Sequence, residues 1–231
     1  MDALSRSPVT FLFTDIEGST RLWEYFPEAM QAALARHDAL IRAVIEAHGG
    51  GVFKTVGDAF YTVFAAAADA VAAALTIQRA LQREPWGETG PLRVRVALHT
   101  GAAEPRNGDY FGPALNRVAR MLAASHGGQI VLSHSTQQLV HDRLPPDALL
   151  RSLGAHRLRD LIVAEPIFQL AAADLPSEFP PLRTPVALRA ALPTHHGAAQ
   201  REAQCACGRY PNPEPGFFHG LPLAHRVSLS A

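Results

Sequence analysis

The amino-acid sequence predicts an α+β fold, a mixed and antiparallel-rich sheet with helices packed on it. Three observations carry this reading. Apolar runs of strand length at 9–14, 92–100 and 129–132 alternate with helical patterns at 28–47, 65–83 and 112–124. Gly57-Asp58 sits between two short apolar runs, so two consecutive strands turn straight back on each other instead of crossing over through a helix. Three short closing strands follow in a row at 149–153, 156–159 and 166–170. A strand order that mixes hairpins with helical crossovers belongs to the α+β class.

Each element has a local cause. Val9 to Thr14 is apolar on both faces, which suits a central strand. Asp15, Ile16, Glu17 and Gly18 follow as a turn, and Ser19 or Thr20 is placed to cap a helix whose apolar side begins with Leu22, Trp23 and Phe26. Trp23 is expected in the core or at a contact with a second copy. Pro27 interrupts that helix. A longer one runs from Glu28 to Ala47, burying Ala33, Leu34, Leu40, Ile41, Val44 and Ile45, and Gly49-Gly50-Gly51 ends it. Val52–Val56 and Ala59–Phe64 form a hairpin with a type II′ turn, glycine first. An alanine-rich helix spans 65–83, and 85–91 is a loop. Leu92 to Thr100 alternates as a half-buried strand, with Leu92, Val94, Val96 and Leu98 facing one way. Residues 101–108 read as a loop, 112–124 as a helix stopped by Gly127-Gly128, 129–132 as a strand and 135–142 as a short helix.

The texture changes after Ala172. Prolines cluster at 176, 180, 181 and 185 and again at 211, 213 and 215, and apolar periodicity fades. The expected organisation is a folded domain over 7–172 and a Pro-rich linker or tail, disordered, over 173–231.

Bulk properties narrow the function classes. The 231 residues are 48% hydrophobic, enough for a real core, with a formal net charge of zero, unlike the basic balance of a dedicated nucleic-acid binder. No apolar run approaches the ~20 residues of a membrane-spanning helix. The first ten residues have no signal-peptide centre. Cys205 and Cys207, the two cysteines, form no disulfide framework and lack further zinc ligands at the usual spacing. A cytoplasmic protein with no nucleic-acid and no membrane partner is expected.

The chemistry concentrates where strands stop. Asp15 ends the first strand and Asp58 tips the hairpin. Two carboxylates brought side by side can share two Mg2+ ions roughly 3.5–4 Å apart, and Mg2+ favours a few carboxylates completed by phosphate oxygens. The backbone carbonyl of Ile16 is a further candidate ligand. Gly18 and Ser19 lie where backbone N–H groups can meet phosphate. Asn116 and Arg120, four apart, share one helix face. His99 reads as a strand histidine rather than a metal ligand, and His195-His196 has no supporting ligands.

FTDIEGSTRLWE, KTVGDAF and GDYFGPALNRVAR resemble, in order and spacing, the three signature blocks of class III adenylyl/guanylyl cyclase catalytic domains, in the variant found in bacteria and notably actinobacteria. The resemblance covers about residues 7–171. It implies a ferredoxin-like core working as a head-to-tail homodimer with active sites at the shared interface. Carried onto this sequence, Asp15 and Asp58 match the metal aspartates, Lys54 and Asp109 the base-selecting pair, and Asn116 and Arg120 the ribose-orienting asparagine and the arginine on the α-phosphate. Asp15 and Asp58 would come from one subunit and the other four from its partner. Arg159, or Arg157, in HRLRDL would supply a basic residue to the triphosphate. One departure is Ala102, which stands where several members carry an arginine that reaches the phosphates. The segment from Glu178 to Pro193 resembles the linker that joins such a domain to an ATPase module in larger bacterial regulators, yet no G-x-x-x-x-G-K-[ST] loop follows, which implies a truncated or rearranged form of such a regulator.

A lysine donor and an aspartate acceptor fit the N1 and exocyclic amine of adenine, and guanine reverses that pattern. The resemblance therefore implies an adenylate cyclase that uses ATP and two Mg2+ (or Mn2+) ions. Two alternatives are a nucleotide-binding regulatory module with little turnover, motivated by Ala102, and a guanylate cyclase.

Overall fold

The computed structural model describes residues 7–184 and the backbone of 187–188. Ten strands and five α-helices make up this part: β1 (Val9–Ile16), α1 (Ser19–Tyr25), α2 (Pro27–Ala47), β2 (Gly51–Val56), β3 (Ala59–Phe64), α3 (Ala67–Arg83), β4 (Val94–Gly101), β5 (Glu104–Arg106), β6 (Asp109–Phe111), α4 (Pro113–Ala124), β7 (Ile130–Ser133), α5 (His134–Val140), β8 (Ala148–His156), β9 (Glu165–Ala172) and β10 (Ala187–Leu188). The main sheet has the order β10-β8-β9-β7-β4-β1-β3-β2, and β5-β6 forms a separate ribbon. Among the described residues only β4 and β7 run parallel; every other pairing is antiparallel. The α+β class and the ferredoxin-like arrangement expected from the sequence are those of the structure.

β1 lies at the centre of the fold, with both of its faces covered. Leu12 and Ile16 join Phe60, Phe64, Val96 and Leu98 in one core layer under α2 and α3. Phe11 and Phe13 face the other way, with Val131 and Ile167, against Val118, Met121 and Leu122 of α4. Phe11 is fully buried and meets Phe13, Phe53 and Tyr110 edge-on at ring distances of 6.2, 6.1 and 5.5 Å. That aromatic nest ties β1, β2 and β6 together, next to Lys54 and Asp109.

The β2–β3 turn is a two-residue Gly57-Asp58 loop with Val56 opposite Ala59. Gly57 has φ +59°, which only glycine adopts cheaply in this first turn position. The hairpin places Asp58 against the end of β1, and that is its consequence for the site.

Three expectations needed correction. The loop at 101–108 contains β5 and ends in β6; its Asn107-Gly108 turn, with φ of +53° and +77°, is a standard hairpin signal set between polar residues, so no apolar alternation announced it. The two strands expected at 149–153 and 156–159 are the single strand β8, irregular between Ser152 and Gly154, and Arg157 and Arg159 lie in the loop beyond it. α1 begins at Ser19, and its cap position is taken by Gly18 with no side-chain cap, because the Ser19 hydroxyl is drawn to Asp58 instead. Trp23 is 39% exposed, which leaves a contact with a second copy as its expected place.

The packed chain also runs past Ala172. Ser177 O accepts from the Gln169 amide at 2.7 Å, Pro181 O from His126 Nε2 at 3.1 Å, and Arg183 N donates to Ala124 O at 2.9 Å. Leu182 is buried on the α4 side of the sheet. Proline removes donors without preventing an extended strap from docking through its carbonyls. Cys205, Cys207, His195 and His196 lie outside the described residues.

Phe11→Ala is expected to cost about 3–5 kcal/mol of unfolding free energy, the usual range for emptying a buried phenylalanine site. Urea denaturation measures it.

Candidate active site

At the end of β1 the two aspartates converge. Asp58 Oδ2 accepts from Ile16 N at 2.7 Å, and Asp58 Oδ1 from the Ser19 hydroxyl at 3.3 Å. The hairpin tip is thereby fastened to the turn that carries Asp15. Register puts Asp15 directly across from Arg95 on β4. The Arg95 guanidinium grips the Asp15 carboxylate with two bonds of 2.6 Å each, the bidentate fork that arginine makes with carboxylates.

Burial raises the Asp15 carboxyl above its ordinary range; the Arg95 bond opposes this, and the negative charges of Asp58 and Glu17 add to the rise. A carboxylate crowded by two other acids and short of water gains from a multivalent cation. Among the described residues no cluster of three or more His, Cys, Asp or Glu side chains could hold a metal by itself. The donor set is two carboxylates plus backbone oxygen, which fits Mg2+ completed by a ligand's phosphates rather than a closed protein cage.

Glu17 is anchored behind this turn. Its carboxylate accepts from Gly127 N at 3.1 Å and pairs with Arg183. Burial pushes the Glu17 carboxyl up, but the bonds from Arg183 and Gly127 outweigh it and the net shift is downward. Gly127 is required here: a Cβ would stand 2.5 Å from Arg93 Cβ and 2.9 Å from Arg93 O. The strap beyond Ala172 therefore reaches the Asp15–Ser19 turn through a single arginine.

The other sequence-predicted residues form two further groups. Lys54 Nζ donates to Asp109 Oδ2 at 2.9 Å. The Lys54 bond and the Tyr110 backbone N–H hold the Asp109 carboxyl below its usual range. On α4, Asn116 is exposed, and Arg120 Nη2 donates to Asp160 Oδ2 at 2.6 Å. Arg159 Nε lies 3.7 Å from the same carboxylate oxygen, while Arg157 donates to Ile162 O at 3.3 Å. Among the described residues no side-chain hydrogen bond or ion pair links these three groups: Asp15/Asp58/Arg95, Lys54/Asp109 and Arg120/Asp160/Arg159.

Arg95, Glu17, Arg183 and Asp160 were missed by the sequence reading. Arg95 had a usable signal, since it alternates onto the same strand face as His99; its place across from Asp15 comes from the β1–β4 register. Asp160 and Arg183 had none, because both depend on where loops return.

His99 is part of a buried hydroxyl network. Its Nδ1 is 2.8 Å from Ser133 Oγ, which is 3.2 Å from Thr136 Oγ1, itself 3.1 Å from Thr100 Oγ1.

Comparison with known proteins gives the family. The family model for the adenylate and guanylate cyclase catalytic domain matches residues 1–148. The chain belongs to that family. An uncharacterised protein of Mycobacterium tuberculosis is 44% identical over 178 residues, covering 76% of this chain and 60% of its own length. The chain thus spans about 60% of the length of such relatives. Receptor-type adenylate cyclase B of Leishmania donovani is 30% identical over 207 residues, 71% of this chain and 16% of that protein. A solved adenylate cyclase structure from Trypanosoma brucei, described in its monomeric state, superposes with a TM-score of 0.69 at 28% identity, over 76% of this chain and 92% of that one.

Burial, reinforced by the charge of Arg117, lowers His99 to about 4 from an ordinary 6.5. Between those values the unfolded chain binds a proton that the folded chain refuses. The stability is whole above pH 6.5 and falls progressively as pH drops toward 4. Wild type should therefore lose about 2 kcal/mol more than His99→Gln between about pH 6.5 and about pH 5, measured as urea unfolding free energies.

Proposed function

We propose that the chain is an adenylate cyclase, converting ATP to 3′,5′-cyclic AMP and pyrophosphate at the interface of a homodimer in the cytoplasm. The observation that carries this reading is the convergence of Asp15 and Asp58, with Arg95, at the end of β1. Asp15, Asp58 and the Ile16 carbonyl would hold two Mg2+ (or Mn2+) ions, which when bound acidify the ribose 3′-hydroxyl and neutralise the triphosphate.

In that reaction the 3′-oxygen attacks the α-phosphorus in line. The bond from the α-phosphorus to the α,β-bridging oxygen breaks, pyrophosphate leaves with its electrons, and the hydroxyl proton passes to solvent. Gly18 and Ser19 offer backbone N–H groups to the phosphates. Arg95 covers Asp15 in the free chain; with Asp15 holding a cation, the Arg95 guanidinium would be free for a phosphate oxygen, a role that would offset Ala102 in this chain. The Lys54–Asp109 pair supplies one donor and one acceptor to adenine, and GTP would leave both mismatched. Asn116 would orient the ribose. Arg120 would stabilise charge growing on the α-phosphate, and Arg159 would hold the distal phosphates.

The homodimer reading is supported by the separation of the three groups within one chain. A twofold contact lets one subunit give the metal aspartates while the other gives Lys54, Asp109, Asn116, Arg120 and Arg159, so that one pair of chains builds two sites. Val56 at the hairpin tip and Phe111 at the end of β6 are 55% and 41% exposed, apolar surface that such a contact would cover. No helix among the described residues is long and apolar enough to cross a membrane.

The test is a cyclic-nucleotide assay across protein concentration, with ATP and GTP compared under Mg2+ and Mn2+. Cyclic AMP is expected, with specific activity rising with protein concentration and no product from Asp58→Ala. Arg120→Ala should lower kcat by about 10²–10³-fold, the usual loss for one transition-state donor. Lys54→Met should lower kcat/KM for ATP by roughly 10–100-fold, as expected for losing one charged hydrogen bond. ATP binding without product would select the regulatory-module reading, and preference for GTP the guanylate one.

A further inference from the structure

Asp160 holds a conformation that an aspartate adopts at a cost. Its φ is +62°, and among the described residues only Asn107 is another non-glycine residue with positive φ. Asn107 is accounted for by its hairpin turn. Asp160 lies in the loop between β8 and β9, where Ile162 and Val163 are 87% and 73% exposed. There it takes the third position of the turn closed by Leu161 N–H on the Leu158 carbonyl, which accounts for its φ. What the turn does not account for is the contact its side chain makes with α4.

That side chain sits between two cations. The carboxylate receives Arg120 Nη2 at 2.6 Å and lies 3.7 Å from Arg159 Nε, both through Oδ2. Arg120 comes from α4 and Arg159 from the loop, so Asp160 is the anion on which two separate elements converge. The contact is exposed and one-pronged, a kind of pair that contributes little to fold stability. Leu158, buried beneath the loop, and its carbonyl bond to Leu161 N at 3.1 Å hold the loop down without it.

We propose that Asp160 is a stand-in anion: its carboxylate occupies the place between Arg120 and Arg159 that a polyphosphate takes, keeps the two guanidiniums converged when the site is empty, and is displaced when the ligand arrives. This rests on the phosphate roles given above to Arg120 and Arg159. One carboxylate against two guanidiniums leaves the cluster net positive, so an incoming ligand with several phosphate charges wins the exchange where a singly charged one does not. The effect falls on binding, because the displaced carboxylate competes with the ligand and not with the transition state. Asp160 is therefore a positioning residue that raises KM.

The test uses the full chain, Asp160→Asn and Asp160→Gly. Asparagine tolerates the left-handed backbone and removes the charge; glycine also removes the strain. Inorganic tripolyphosphate with Mg2+, titrated calorimetrically, should bind both variants about two- to five-fold more tightly than wild type, the scale of one exposed ion pair. KM for the nucleotide should fall by the same factor with kcat within about two-fold. Glu178→Gln, which removes the exposed Arg151–Glu178 pair, should leave both readouts unchanged. Tightening in glycine alone would assign the effect to backbone strain and overturn the proposal. So would equal tightening in Glu178→Gln, no tightening, no detectable tripolyphosphate binding, or a fall in kcat beyond about two-fold. The calorimetry needs no turnover: tightening in a chain that makes no cyclic nucleotide would keep this inference and remove the cyclase reading, while unchanged binding in an active enzyme would do the reverse.

Discussion

Everything in the candidate site depends on one short-range bond, from the backbone N–H of Ile16 to the Asp58 carboxylate at 2.7 Å. It fastens the tip of one hairpin to the turn after the central strand and forces two acids into one neighbourhood. Like charges there are tolerated because Arg95 grips Asp15 and Ser19 donates to Asp58. The arrangement is costly for a free chain and favourable for one that takes up divalent cations, which is the physical sense in which the sheet serves the chemistry.

The sheet makes that bond possible through burial on both faces of β1. With Leu12 and Ile16 locked under α2 and α3, and Phe11 and Phe13 under α4, the strand cannot slip by one residue without turning two core layers inside out. Register is what sets Asp15 across from Arg95. A second constraint comes from the strap after β9. Arg183 reaches Glu17, two residues beyond Asp15, so the segment following the sheet is mechanically connected to the turn that would face phosphate.

How much of this could be read from the sequence follows from the range of each interaction. The hairpin at Gly57-Asp58, the double-faced strand at 9–14 and the helix carrying Asn116 and Arg120 are local patterns, and each stands where expected. The Lys54–Asp109 pair was legible only through resemblance, since 55 positions separate the two and only folding joins them. Asp160 and Arg183 gave no sign. Their roles come from loop returns, and a loop's path is set by packing that leaves no period in the residues. The boundary at Ala172 was drawn from proline content, but carbonyl acceptors and Leu182 dock the strap regardless of its prolines.

The most direct test of the central claim is electron paramagnetic resonance of the purified protein titrated with Mn2+ in the presence of 3′-deoxy-ATP, which cannot cyclise. The account predicts two exchange-coupled Mn2+ ions per active site, with the coupling lost in both Asp15→Asn and Asp58→Asn. A single isolated ion, or a signal that Asp58→Asn leaves unchanged, would contradict it.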